Sequence, residues 1–220
     1  MFDTIVNLRL LKNRMCGYHS LADPFRVVYI DPNDVTKYTL DFNTYSIYGD
    51  IQGGDWDTKS KSFDKLAKYT AIKKRFKHGM TWEETGVYDE LLSMIEDEGS
   101  IDKCTTRDDL KRRYEEIDEL YEDISKNGYK EASELPDNKR KGKGYINNIC
   151  VNIGRNGELI FQGDGFHRLS IAKVLQLNEI PIQIALRHKK WQEYRQRISN
   201  SENQRFQTQW RNHPDLKDVV

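Results

Sequence analysis

The sequence predicts an α+β fold, a small mixed sheet wrapped by helices, and three observations lead there. Between residues 63 and 127 apolar side chains recur every three or four positions, the helical period. From residue 146 the texture changes to short alternating stretches, two of them joined by Asn156-Gly157, a strong hairpin signal. Twelve Tyr, eight Phe and four Trp among 220 residues supply large core side chains to a chain that is 32% charged and 37% hydrophobic. A disordered chain would carry few aromatics. The length predicts one domain.

Taken in order, residues 1–16 read as a short amphipathic helix ended by Asp23-Pro24. Arg26 to Ile30 is an apolar, β-branched run closed by Asp31-Pro32-Asn33-Asp34, which predicts a strand and a turn. Residues 38–62 are rich in Tyr, Thr, Asp and Gly and read as an ordered loop or short strands around Gly54-Asp55-Trp56-Asp57. Phe63, Leu66, Tyr69, Ile72 and Phe76 share one helical face, and Gly79 is placed to cap that helix. Thr81 and Glu84 form a capping box that opens a second helix running to Gly99. A third helix spans about 106–127, with Leu110, Tyr114, Ile117, Tyr121 and Ile124 on one side.

Residues 136–144 are polar and basic and read as an exposed loop. Ile149, Val151 and Ile153 alternate with polar residues, so a strand is expected there, with Leu159–Phe161 returning after the hairpin. Gly163-Asp164-Gly165 is a tight connection into a helix over 166–176, and Pro181–Leu186 is a last strand. His188 is expected near a sheet edge in a structural role. The tail 187–213 reads as a helix followed by frayed chain.

Charge and cysteine content bound the function. The 35 basic and 35 acidic residues sum to zero, which excludes a uniformly basic nucleic-acid binder. The zero hides segments of opposite sign: 81–135 has eighteen acidic against seven basic residues, and 187–213 has seven basic against two acidic. The acidic excess reads as the solvated face of helices. The basic loop 139–143 and the tail 187–213, with Trp191, Tyr194, Phe206 and Trp210 interleaved, offer a route to nucleic-acid phosphates, or the aromatics pack on the domain. Cys16, Cys104 and Cys150 are odd in number and lack a C-x-x-C pair, which predicts free buried thiols in a reducing cytoplasm. No apolar run is long enough to span a bilayer, and the start lacks a signal-peptide core. A peripheral membrane contact through Ile5, Val6, Leu8, Leu10 and Leu11 stays open.

The chemistry concentrates at Gly163–Arg168. Two glycines let a backbone turn sharply against a ligand, and a helix that follows directs amide N–H groups and its positive dipole end at the turn. A phosphate is the natural occupant. Arg168 supplies a permanent cation with a planar donor fork, His167 a donor or a mobile proton, and Asp164 a metal ligand or general base. The competing structural reading has Asp164 capping the helix, His167 satisfied locally and Arg168 in a surface ion pair. Asp55 and Asp57 flank Trp56 either as cation ligands on a closing loop or as turn residues around a core indole.

Residues 149–184 carry a pattern: strand, Asn-Gly turn, strand, Asp164-Gly-Phe-His-Arg168, a helix ending Leu175-Gln-Leu177, then Ile180-Pro-Ile-Gln-Ile184. This resembles the core of the ParB/sulfiredoxin-like superfamily. Ile117–Tyr129 resembles that family's preceding helix, and Val28–Val35 its opening strand and turn. The resemblance implies a ParB-like core at about 26–35 and 117–187, a helical insertion at about 63–110, and a basic tail at 188–220. Gly54–Asp57, Arg75–Thr85 and Asp164–Arg168 together are similar to motifs of archaeal and viral ParB-like proteins, a likeness that brings no activity with it.

The resemblance narrows the chemistry. Sulfiredoxins need a Cys where this chain has Phe166, so that activity is not expected. Partition-type members bind CTP and carry a DNA-binding domain after the core, for which the 33 residues after Arg187 are too few. Free-serine kinases of the superfamily use D-G-H-H-R, matched here except at Phe166. By that likeness Asp164 and His167 stand near a transferred phosphate, Gly163, Gly165, Phe166 and Arg168 help bind it, and a second carboxylate is needed. Glu158 is one candidate. A ParB-like nuclease would instead use Asp164 with Asp55 or Asp57 on a metal. The expected function is a nucleotide- or phosphate-binding protein (ATP, ADP or CTP, with Mg), with phosphotransfer as the reaction this likeness implies. The alternative is a DNA-binding regulatory module.

Overall fold

The computed structural model describes residues 2–131, 134, 148–200 and 212–219. Its sheet is organised around one long strand, β7 (Ile180–His188), nine residues that are all buried. Both faces of the strand are covered, so its apolar residues run on without alternation, and its polar Gln183, Arg187 and His188 are buried with hydrogen-bond partners. β1 (Val27–Ile30) pairs with it antiparallel, while β3 (Asp50–Gln52) and β5 (Ile149–Ile153) pair with it parallel. β5 continues antiparallel into β6 (Leu159–Phe161) through the hairpin. β2 (Lys37–Tyr38) lies parallel to β6, and β4 (Lys61–Ser62) antiparallel to β2. The described strands thus form one seven-stranded mixed sheet, ordered β1-β7-β5-β6-β2-β4 with β3 also on β7. The α+β class holds.

The backbone separates into two compact units. The first, residues 1–63, 131–165 and 178–220, contains the whole sheet with α1 (Phe2–Met15), α2 (Thr44–Ile47) and α8 (Lys189–Ser199). Its apolar core joins Cys150, Ile160, Ala185 and Leu186 of the sheet to Val6, Ile47, Tyr48 and Trp56. Burying each such aliphatic side chain stabilises by roughly 1.5–3 kcal/mol. α1 buries Val6 but leaves Leu8 and Leu11 exposed. No described helix is long and apolar enough to cross a membrane.

The second unit, residues 64–130 and 166–177, is helical: α3 (Ala67–His78), α4 (Trp82–Thr85), α5 (Val87–Glu98), α6 (Arg107–Asn127) and α7 (Phe166–Leu175). α6 and α7, which the family pattern assigns to the core, cluster here with the helices of the expected insertion. Aromatic packing holds this unit. Trp82 meets Tyr114 at 4.6 Å between ring centroids, Phe76 stacks on Tyr121 at 3.8 Å, and the Trp82 indole N–H donates to Asp118 at 3.1 Å.

Several expectations need correction. The helix opened by the Thr81 capping box is two helices, because Gly86 adopts φ +80° and ends α4 before α5 begins. A 3-10 turn, Phe63–Lys65, precedes α3. β5 does not expose its polar positions: Asn152 is buried and donates to Gln162 at 2.8 Å, which in turn donates to the Phe42 carbonyl at 2.7 Å. His188 is at the end of a central strand, not an edge one. Cys16 is exposed rather than buried, although all three thiols are free. The helix expected at the start of the tail is α8, residues 201–211 lie outside the described residues, and beyond them Pro214–Leu216 forms a 3-10 turn with Asp215 and Leu216 fully buried. The loop 139–143 lies outside the described residues.

Candidate functional site

The Gly-Asp-Gly-Phe-His-Arg motif is divided by the boundary between the units, which falls between Gly165 and Phe166. Its first half belongs to the sheet. Gly163 and Gly165 have φ of +82° and +83°. A Cβ on Gly165 would stand 2.8 Å from the Ile149 backbone, so both the turn and the packing require glycine there. The Asp164 carbonyl accepts from the Cys150 N–H at 3.2 Å, which ties the turn to the start of β5. The Asp164 side chain is half-buried and makes no hydrogen bond or ion pair among the described residues, so it is not used as a cap.

The second half opens α7, which buries Leu169, Ile171, Ala172 and Val174 and keeps Phe166, His167 and Arg168 in its first turn. First-turn amides have no intrahelical acceptor, and the dipole there is positive. Three other elements of the helical unit bring charge to this turn. Arg113 of α6 places Nη2 3.3 Å from His167 Nδ1. A guanidinium only donates, so Nδ1 accepts and the imidazole proton is on Nε2. Lys68 of α3 stands over the Phe166 ring, 5.3 Å from its centroid, and pairs with Asp102 at 2.7 Å. Partial desolvation lifts the Asp102 carboxyl, but the charge and hydrogen bond of Lys68 outweigh it and hold it below the ordinary range. Arg168 makes no hydrogen bond or ion pair among the described residues, so the ion pair of the structural reading does not form. The result is a helix N-terminus with Lys68, Arg113 and Arg168 as cations and Asp102 as internal counter-charge.

Asp102 is held by an unusual backbone. Ile101 and Cys104 exchange both backbone hydrogen bonds, at 3.0 and 2.7 Å, around a two-residue turn. Its central residues, Asp102 and Lys103, both have positive φ, +51° and +68°. This is a type I′ hairpin geometry, for which Asn-Gly or Asp-Gly is preferred. Lys103 in the left-handed region costs about 1 kcal/mol or more. Sequence reasoning missed Lys68, Asp102 and Arg113, which read as ordinary helix-surface charges. The one available signal was Asp102-Lys103 in a place that needs a tight turn.

The other expected site residues are engaged elsewhere. Asp57 is buried and receives Arg155 through Nε at 2.8 Å, Nη2 at 2.7 Å and the backbone N–H at 2.8 Å. Burial raises the Asp57 carboxyl, and the hydrogen bonds from Arg155 more than offset it, leaving it at about 2. Arg155 also reaches Asp55 and the Gly54 carbonyl, each at 2.8 Å. His188 accepts from the Lys190 N–H through Nδ1, so its Nε2–H donates to the same Gly54 carbonyl at 3.0 Å. Trp56 is buried beside Phe42. The Gly54–Asp57 loop is therefore a clamp on the β5–β6 hairpin, and its carboxylates are committed to Arg155. Glu158 closes the same hairpin on the Asn156 N–H at 3.2 Å and faces Lys37 at 3.6 Å. Among the described residues no group of three His, Cys, Asp or Glu side chains could hold a metal ion.

Of the two readings of the basic tail, packing on the domain is the one its described part follows. Arg187 and Arg195 are buried. Arg187 pairs with Asp215 at 2.6 Å, and Arg195 with Asp215 at 3.2 Å and Asp218 at 2.9 Å. The Trp191 indole donates to Asp215 at 2.9 Å, and Arg26 reaches Asp218 at 2.8 Å. Trp191 is core, with Tyr194 stacked on it at 5.6 Å. These side chains do not face outward to nucleic acid. Arg205, Phe206, Trp210 and Arg211 lie outside the described residues. Compared with known proteins, the chain matches no family model, no curated protein and no solved structure.

Proposed function

We propose that this chain is a ParB-like protein that binds a phosphate-bearing ligand, a nucleotide or a phosphorylated small molecule, at the first turn of α7 and acts on it as a phosphotransferase. The observation that carries the reading is Arg168: a guanidinium on a helix N-terminus, without a carboxylate partner among the described residues, in a unit that also gathers Lys68 and Arg113 about the same turn. Arginine's fork suits phosphate oxygens bidentately. His167, its proton directed to Nε2 by Arg113, is a neutral donor to a phosphoryl oxygen. By the D-G-x-H-R likeness alone, Asp164 would accept the proton of an attacking hydroxyl as its oxygen bonds to the transferred phosphorus and the bond from that phosphorus to the leaving phosphate oxygen breaks. Magnesium, where the ligand brings it, would neutralise the phosphates. A nuclease built on Asp55 or Asp57 is not supported, since both carboxylates serve Arg155. A DNA-binding reading gains nothing from Arg187 and Arg195, which are spent on Asp215.

Isothermal titration of the full chain with ATP, ADP and CTP, with and without magnesium, tests the binding. Binding by the native chain and its loss in Arg168→Ala is the expected result. Absence of binding to all three, or equal binding by Arg168→Ala, overturns the proposal. Loss of turnover with retained binding in Asp164→Asn separates the catalytic claim from the binding claim.

A further inference from the structure

The described sheet ends on an open edge. β1, Val-Val-Tyr-Ile, pairs with β7 on one side, and no described strand lies on its other side. Apart from being short, it has none of the charge, proline or bulge that blunts a natural edge. Its register on β7 sets Tyr29 opposite Pro181 and Val27 opposite Gln183. Proline has no N–H, so Tyr29 and Pro181 cannot exchange two hydrogen bonds, and they form the non-hydrogen-bonded kind of antiparallel pair. Val27, two residues away, falls in the same phase. The backbone N–H and C=O of both residues therefore turn away from β7 to the open side, where neither residue meets a backbone partner among the described residues. Tyr29 is 41% exposed, on the face opposite the buried Val28 and Ile30. The two ends of the strand differ in charge. Arg26, at the start, reaches Asp215 and Asp218, which brings the exposed Lys217 to the same end without an ion pair of its own among the described residues. At the other end Ile30 pairs with Ile180, so the exposed Asp31 and Glu179 lie together there.

We propose that β1 is a self-association edge, on which a second copy of this chain lays its own β1 antiparallel about a twofold axis at Val28. In that register Tyr29 faces the partner's Val27, and Val27 faces the partner's Tyr29. Both are hydrogen-bonded pairs that use the outward N–H and C=O groups, and both are aromatic–β-branched contacts on the exposed face. The edge fits a second copy because it is complementary to itself. Antiparallel pairing sets the start of one strand against the end of the other, so Lys217 of each copy meets the partner's Asp31 and Glu179, as a twofold interface requires. A parallel arrangement would set like charges together. So short an edge buries little area, and the dimer is of the weak, transient class. β1 belongs to the sheet unit, so the pairing does not depend on the phosphate reading of α7.

Sedimentation velocity of the full chain, from about one to several hundred micromolar, reads the association. A monomer–dimer equilibrium is expected. The Val27 and Tyr29 amides should exchange with solvent more slowly as concentration rises, while Val28 and Ile30, already bonded to β7, stay unchanged. Tyr29→Pro removes an outward N–H at an edge position that tolerates proline, and is expected to weaken the dimer at least about tenfold in a chain that thermal melts show to be folded. Lys217→Glu is expected to weaken it several-fold, and adding Glu179→Lys to restore it. A chain monomeric throughout overturns the proposal. So does a dimer undiminished in folded Tyr29→Pro, or one whose Val27 and Tyr29 amides exchange as fast as in the monomer, since it then uses another surface. If Tyr29→Pro does not fold, Lys217→Glu decides: undiminished association overturns self-pairing, and weakening reversed by Glu179→Lys supports it.

Discussion

Two ionic assemblies in this molecule have the same arithmetic and opposite designs. In the sheet unit, Arg26, Arg187 and Arg195 meet Asp215 and Asp218. In the helical unit, Lys68, Arg113 and Arg168 are set against Asp102 and Glu116. Each has three cations and two carboxylates. In the first, Arg195 and Asp215 are wholly buried, every arginine has a carboxylate, and Trp191 donates to the same Asp215. In the second, Arg113 pairs with an exposed Glu116, Lys68 is shared between a ring and a carboxylate, and Arg168 is unpaired among the described residues. Charge count does not distinguish a fastening from a site. Burial and the distribution of partners do.

The sharpest way to break the comparison is to remove one carboxylate from the closed assembly. Asp215→Ala leaves Arg187 and Arg195 buried without their main partner and is expected to cost about 3–5 kcal/mol in urea denaturation. Its pH dependence follows from the carboxyl's position. Burial raises Asp215, and Arg187, Arg195 and Trp191 overcome that and hold it well below the carboxylate range. A depressed folded-state value contributes stability above the unfolded value, near 3.9, that is lost as pH falls toward the folded one. Below about pH 4 the native chain is therefore expected to lose this contribution progressively, and Asp215→Ala to show a flatter acid limb. A parallel acid limb in the variant would mean that Asp215 is not the group responsible. Next in size is Gly165→Ala. A Cβ 2.8 Å from the Ile149 backbone, at a φ of +83°, is expected to destabilise by about 2–3 kcal/mol.

Much of the fold was legible because its signals are local. The Thr81 cap, the Asn156-Gly157 hairpin and the aromatic face of α6 all act within a few residues, and all are present. What failed depended on distant chain. Alternation in β5 predicted a strand without saying where its polar side chains go, and Asn152 finds Gln162 and is buried. Seven basic residues in the tail left open whether they face outward or pack on the domain. Nothing near Arg187 or Arg195 in sequence announces Asp215, which returns to them after 28 and 20 residues. The candidate site was half legible. Arg168 stands in the first turn of α7, as the motif predicted, whereas Lys68, Asp102 and Arg113 come from three separate elements that only tertiary packing assembles.

Two smaller effects sharpen the contrast within the helical unit. Lys103→Gly relieves a left-handed lysine at some cost in unfolded-state entropy, and a net gain of about 0.5–1 kcal/mol is expected in thermal or urea melts. With Asp102 still paired to Lys68, ligand affinity should not change, so strain and charge become separately measurable. The smallest stability effect is expected at Arg168 itself. It has no carboxylate to leave behind among the described residues, unlike Arg187 or Arg195, so Arg168→Ala should change stability by less than about 0.5 kcal/mol. That near-neutrality is the discriminating result. A buried arginine serving the fold cannot be removed without exposing the charge it balanced, whereas one unpaired among the described residues on a helix N-terminus is expected to cost the fold almost nothing and, on the proposed reading, to abolish ligand binding when removed. A loss of 2 kcal/mol or more would instead place Arg168 in the same category as Arg195, and the open assembly would be a second fastening.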